Sequence, residues 1–67
     1  MPTIRVTSTP LSMEQKRELV ERLTQVSMEV TGAPEQFHTV LIEELSPESM
    51  GVGKKTVETI IAELKAK

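Results

Sequence analysis

Two short β-rich stretches, Thr3–Thr9 and His38–Leu45, stand on either side of one long amphipathic stretch, and this spacing restricts the fold more than any other feature. In the first, Ile4 and Val6 alternate with Thr3, Arg5 and Thr7, the period of a strand with one face turned inward. In the second, Val40-Leu41-Ile42 is apolar on both faces, as in a strand covered on both sides. More than the dozen residues that a parallel crossover requires lie between them, and such connections are right-handed almost without exception. The expected protomer is therefore βαβ, an α/β unit with parallel strands and one long crossover helix.

The punctuation agrees with this reading. Pro10 closes the first strand, and Ser12 stands three residues before Gln15, a capping-box pattern that opens a helix. Leu19, Leu23, Val26 and Val30 recur at helical spacing, Val20 widens the stripe, and Glu18 precedes Arg22 by one turn. These residues predict a helix over Met13–Thr31. Gly32 suits a left-handed stop, Pro34 prevents the helix from resuming, and Pro34–Phe37 reads as a turn.

After the second strand, Ser46-Pro47-Glu48-Ser49 is turn chemistry. In Met50-Gly51-Val52-Gly53, two glycines permit tight, positive-φ backbone near a neighbouring chain or a ligand. The glycine spacing does not make a phosphate loop. Val57, Ile60, Ile61 and Leu64 then mark one face of a short second helix, Thr56–Ala66, preceded by Lys54 and Lys55.

A chain of 67 residues with one aromatic, Phe37, and no cysteine holds a single domain, residues 1–67, with a thin core. Single cores below about 70–80 residues rarely supply more than roughly 3–5 kcal/mol. Two strands alone also leave an unpaired edge on each side and one apolar face open. Assembly is the expected remedy: pairing the edges of two copies gives a four-stranded sheet backed by two helices. The absence of cysteine and a single histidine exclude a disulfide framework, a thiolate zinc site and an ordinary imidazole metal centre, and no cofactor is expected. A net charge of −2 with interspersed signs argues against nucleic acid as a partner. No apolar run approaches the roughly 18 residues that span a bilayer, and no signal segment opens the chain, so a cytoplasmic location without membrane attachment is expected.

Pro2 is the residue with chemistry of its own. Methionine is normally trimmed before a residue as small as proline, which would leave a secondary amine at the head of a strand. Such a nitrogen can act as a base while its ring fixes its direction, and neighbours that exclude water lower its proton affinity towards the working pH. A retained Met1 makes the same nitrogen an amide, which is no base.

Met1-Pro2, the helix opening Ser12-Met13-Glu14-Gln15-Lys16, the stop Gly32-Ala33-Pro34, the strand Val40-Leu41-Ile42-Glu43-Glu44 and the segment Gly51-Val52-Gly53 together resemble the 4-oxalocrotonate tautomerase family. The resemblance reaches Lys54. It implies a βαβ protomer, dimers with a continuous sheet, and hexamers built as trimers of dimers. It also implies that Pro2 is a general base moving a proton between the oxygen and carbon ends of an enol–ketone system. In that family arginines bind the substrate carboxylate and the developing oxyanion, and an aromatic residue keeps the site dry. Aligned through Glu14-Gln15-Lys16, the two arginine positions fall on Leu11 and Thr39, and the aromatic position on Met50.

Substitutes for the missing charges have two readings each. Arg5 stands on the strand face opposite Ile4 and Val6, where it serves either the site or solubility and subunit pairing. Lys54 either turns a cation towards a neighbouring protomer's proline or is a solvated lysine beginning the second helix. His38 is a second acid–base group or an edge residue satisfied by a partner. Met50 offers a flexible apolar wall, and Phe37 fits core or interface as well as site. Two functions follow: a tautomerase acting on a small 2-oxo or enol acid, or a non-catalytic oligomer, including an inactive subunit of a mixed hexamer.

Overall fold

A computed structural model describes residues 1–66. Strands β1 (Thr3–Ser8) and β2 (Thr39–Glu44) pair in parallel, from Thr3 opposite Thr39 to Ser8 opposite Glu44, and helix α1 (Met13–Thr31) joins them. The βαβ expectation holds, with each strand slightly shorter than its β-rich stretch. His38 is left out of β2 because its backbone N–H closes the preceding turn on the Glu35 carbonyl, 3.1 Å away.

Both ends of α1 form as the sequence requires. The Ser12 hydroxyl accepts from the Gln15 N–H at 3.1 Å and the Gln15 side chain accepts from the Ser12 N–H at 2.9 Å, a reciprocal cap of the kind worth about 1 kcal/mol. Gly32 takes φ 75° and donates its N–H to the Met28 carbonyl at 2.9 Å. The apolar stripe is less faithful. Leu19 and Leu23 are partly covered, but Val26 is 56% and Val30 80% exposed. Lys16, Thr24, Ser27 and Met28 are partly covered too, so the sheltered face of the helix is half polar.

The sheet is covered on one side only. Ile4, Val6, Val40 and Ile42 are partly covered, whereas Thr3, Arg5, Thr7, Thr39, Leu41 and Glu43 lie on the other, exposed face. The expectation that β2 is covered on both sides is not met within one protomer, where Leu41 stays 45% exposed.

The segment after β2 differs most from the sequence reading. Strands β3 (Gly51–Val52) and β4 (Lys55–Thr56) form an antiparallel hairpin, which leads into α2 (Val57–Lys65). The two-residue turn has Gly53 at φ 59° and Lys54 at φ 74°, the paired left-handed geometry that matches the twist of a tight hairpin. Lys54 is therefore a turn residue and does not begin the helix. Thr56 does that, its hydroxyl accepting from the Thr59 N–H at 3.2 Å. A Cβ at Gly51 would lie 3.4 Å from the Lys55 carbonyl oxygen, the near edge of ordinary van der Waals contact. The hairpin and α2 pack chiefly on each other and on the Pro47–Ser49 turn, forming an arm.

The protomer is open. Among the described residues no apolar side chain is fully buried. The surface is 5330 Å² where a compact monomer of 7.5 kDa has about 4,200 Å², and the radius of gyration is 15.5 Å against about 11 Å.

Candidate active site

Pro2 sits immediately ahead of β1 and is partly covered. Having no N–H, it can join the strand ladder only through its carbonyl, which accepts from the Thr39 N–H at 3.1 Å. Met1, 91% exposed, acylates the Pro2 nitrogen in this chain. Thr39 begins β2 on the exposed sheet face beside Thr3, so Pro2 and Thr39 stand together.

His38 lies next to them with its ring turned to the helix. Nδ1 is 3.0 Å from the Pro34 carbonyl and Nε2 is 2.8 Å from the Ser27 hydroxyl. A carbonyl only accepts, so Nδ1 carries hydrogen, and in the neutral ring Nε2 accepts from Ser27. Both ring nitrogens are occupied, which is the partner-satisfied reading of this residue.

Arg5 projects from the exposed sheet face, where Leu41 and Glu43 border the same open depression of about 180 Å³. Among the described residues no carboxylate lies within ion-pair distance of it. Phe37, in the turn before β2, is 46% exposed and belongs to no core within the protomer.

The remaining positions lie at the other end. Leu11 precedes α1 beside the last residue of β2: its N–H donates to Glu44 Oε2 at 3.0 Å. Glu44 also pairs with Lys16. The hydrogen bonds from the Lys16 ammonium and the Leu11 N–H hold the Glu44 carboxyl below its ordinary value, against the opposing effect of desolvation. Met50 and Lys54 follow β2 on the arm, with the Met50 carbonyl accepting from the Val57 N–H at 2.7 Å. About six residues of strand, roughly 20 Å, separate Pro2 from the Ser8–Glu44 end. One protomer thus brings Pro2, His38 and Thr39 together, with Arg5 further along β1, and keeps Leu11, Met50 and Lys54 apart from them.

Two residues of this region were invisible as such in the sequence. No motif in the sequence singles out Ser27 or Glu44. Only the fold supplies their partners.

The fold is a small βαβ unit with a proline immediately ahead of its first strand, a hairpin arm and one sheet face uncovered. A family model described as tautomerase enzyme matches residues 2–60. The chain belongs to the tautomerase family. It is 48% identical over 42 residues to the probable tautomerase of Bacillus cereus, covering 63% of this chain and 69% of that one. Among solved structures, TomN, a 4-oxalocrotonate tautomerase homologue in the tomaymycin biosynthetic pathway, is 36% identical. It covers 98% of this chain and 97% of its own, with a TM-score of 0.83. DmpI from Archaeoglobus fulgidus is 40% identical with a TM-score of 0.81, covering 85% of this chain and 98% of its own. Family membership supports an isomerase role. Among the described residues no helix is long and apolar enough to cross a membrane.

Proposed function

We propose that this chain is a cytoplasmic tautomerase whose Pro2, freed by removal of Met1, is the general base for enol–keto proton transfer on a small 2-oxo or enol acid. The observation that carries the reading is the placement of Pro2: the family match begins on it, and a single backbone hydrogen bond from Thr39 fixes its carbonyl at the head of the sheet. Once freed, a ring nitrogen at that place is a secondary amine, and surroundings that exclude water would favour its neutral, basic form. With Leu11 and Thr39 at the two arginine positions, a monocarboxylate or a less charged carbonyl compound suits the site better than a dicarboxylate. Arg5 and Lys54 are the candidate cations, and Met50 is a candidate for the dry wall.

We assign the working form as a homo-oligomer, a hexamer built as a trimer of dimers. The excess surface, the uncovered sheet face with Leu41 and the end-to-end separation of Pro2 from Leu11, Met50 and Lys54 support assembly. A second reading, a non-catalytic scaffold or an inactive subunit of a mixed hexamer, is favoured by the uncharged side chains of Leu11 and Thr39.

Ketonisation of phenylenolpyruvate across pH separates the two, using protein shown by intact mass to lack Met1 beside Pro2→Ala. The enzyme reading expects a rate governed by one group titrating near neutrality and lost in the variant. No rate above buffer from processed protein leaves the scaffold reading standing.

A further inference from the structure

We infer that Ser27 and His38 form a positioning clamp for Pro2, holding the nitrogen's direction from a place where neither side chain touches substrate. The inference rests on the proposed role of Pro2 as base. Pro2 has one backbone tie to the body of the protein, the Thr39 N–H at 3.1 Å. The direction of that N–H depends on where β2 starts, and the residue before it is His38. Three hydrogen bonds converge on His38. Its backbone N–H closes on the Glu35 carbonyl at 3.1 Å, Nδ1 donates to the Pro34 carbonyl at 3.0 Å, and Nε2 meets the Ser27 hydroxyl at 2.8 Å.

The first two bonds fold the turn, and among the described residues the third is the hydrogen bond that ties it to α1. Without Ser27 the turn and the start of β2 would move as a hinged unit, carrying Thr39 and Pro2 with them.

The test uses processed protein at fixed concentration, with the assembly checked by light scattering. Ser27→Ala removes one neutral hydrogen bond, so kcat is expected to fall about fivefold with KM little changed. The acid limb of the pH–rate profile should move to higher pH, because a loosened Pro2 nitrogen is better solvated and holds its proton more tightly. Ser27→Thr, which keeps the hydroxyl, should restore both. The Pro2 nitrogen, followed by NMR, should titrate higher in Ser27→Ala than in wild type. A purely structural bond would lower thermal stability and leave kcat and the acid limb of the folded protein at wild-type values, and that result overturns the clamp. His38→Gln, which can still reach Ser27, should sit between wild type and His38→Ala. If His38→Ala fails to fold, the two Ser27 variants carry the test alone. Full rate in Pro2→Ala overturns the reading of Pro2 itself. A dead Pro2→Ala beside an unperturbed Ser27→Ala overturns the clamp only.

Discussion

Thr39→Arg tests whether the uncharged arginine positions set the preference for substrate charge. Thr39 is exposed, on the open sheet face, and its bond to Pro2 is made by the backbone N–H. The substitution therefore creates no cavity and leaves the register intact, so a stability change within about 0.5 kcal/mol is expected. A charge-assisted hydrogen bond is worth about 1.5–3 kcal/mol, and the openness of this face places the new guanidinium at the lower end. About 1.4 kcal/mol is a factor of ten, so kcat/KM for a dicarboxylate enol acid should rise about tenfold relative to phenylenolpyruvate, chiefly through KM. The gain should shrink with added salt, as an exposed charge interaction does. Thr39→Gln, similar in reach and uncharged, is the control. If the ratio of the two specificity constants is the same in wild type, Thr39→Gln and Thr39→Arg, charge at this position does not govern substrate choice and the reasoning fails.

Gly53→Ala isolates a backbone effect, since a Cβ at this φ of 59° would meet nothing within 4 Å. The left-handed penalty less the unfolded-state gain leaves a loss of about 0.5–1 kcal/mol in a denaturant titration at fixed concentration, and no loss would contradict the hairpin geometry. Glu44 makes stability depend on pH with a definite sign. Its carboxyl is depressed below 4.5 in the folded chain, so its contribution is present above the unfolded value and disappears as pH falls through the folded one. Glu44→Gln should accordingly be less stable than wild type at pH 7, with the gap closing in acid; a gap independent of pH would show that the ion pair with Lys16 contributes nothing. Truncation after Gly53 removes β4 and α2 and should dissociate the assembly, whereas an unchanged mass by light scattering would mean that the arm plays no part in it.

Where side-chain period and local capping decide structure, the sequence was legible. Ser12, Gln15 and Gly32 set the ends of α1 at Met13 and Thr31, and the alternation around Ile4 and Val6 set the inward face of β1. The hairpin was not legible, because its turn places Lys54 in a left-handed conformation that glycine or asparagine usually takes. Val26 and Val30 fit the helical stripe by spacing, yet they lie where one protomer has nothing to cover them, and a period cannot reveal the distance to a neighbour. For the site, Pro2 could be singled out from its chemistry alone. The Ser27–His38 contact spans eleven positions through the end of a helix and a turn, and no local pattern encodes it.

The two ends of the crossover are secured by different chemistry, and this bears on how a site could be completed. At the Pro2 end, hydrogen bonds through His38 fix the start of β2, the strand whose first N–H holds the Pro2 carbonyl. At the far end, Glu44 grips the Leu11 N–H and Lys16, fixing the loop that carries Leu11. Each half is thus held within its own chain, but some 20 Å of strand keeps the halves of one chain apart. In the proposed assembly, the Pro2 end of one copy must meet the Leu11, Met50 or Lys54 of another. The same geometry gives the mixed-hexamer reading its force: a second kind of chain could supply charge at the Leu11 position while this one supplied Pro2. Rigidity is then a property of the protomer, and the composition of the site a property of the contact between protomers.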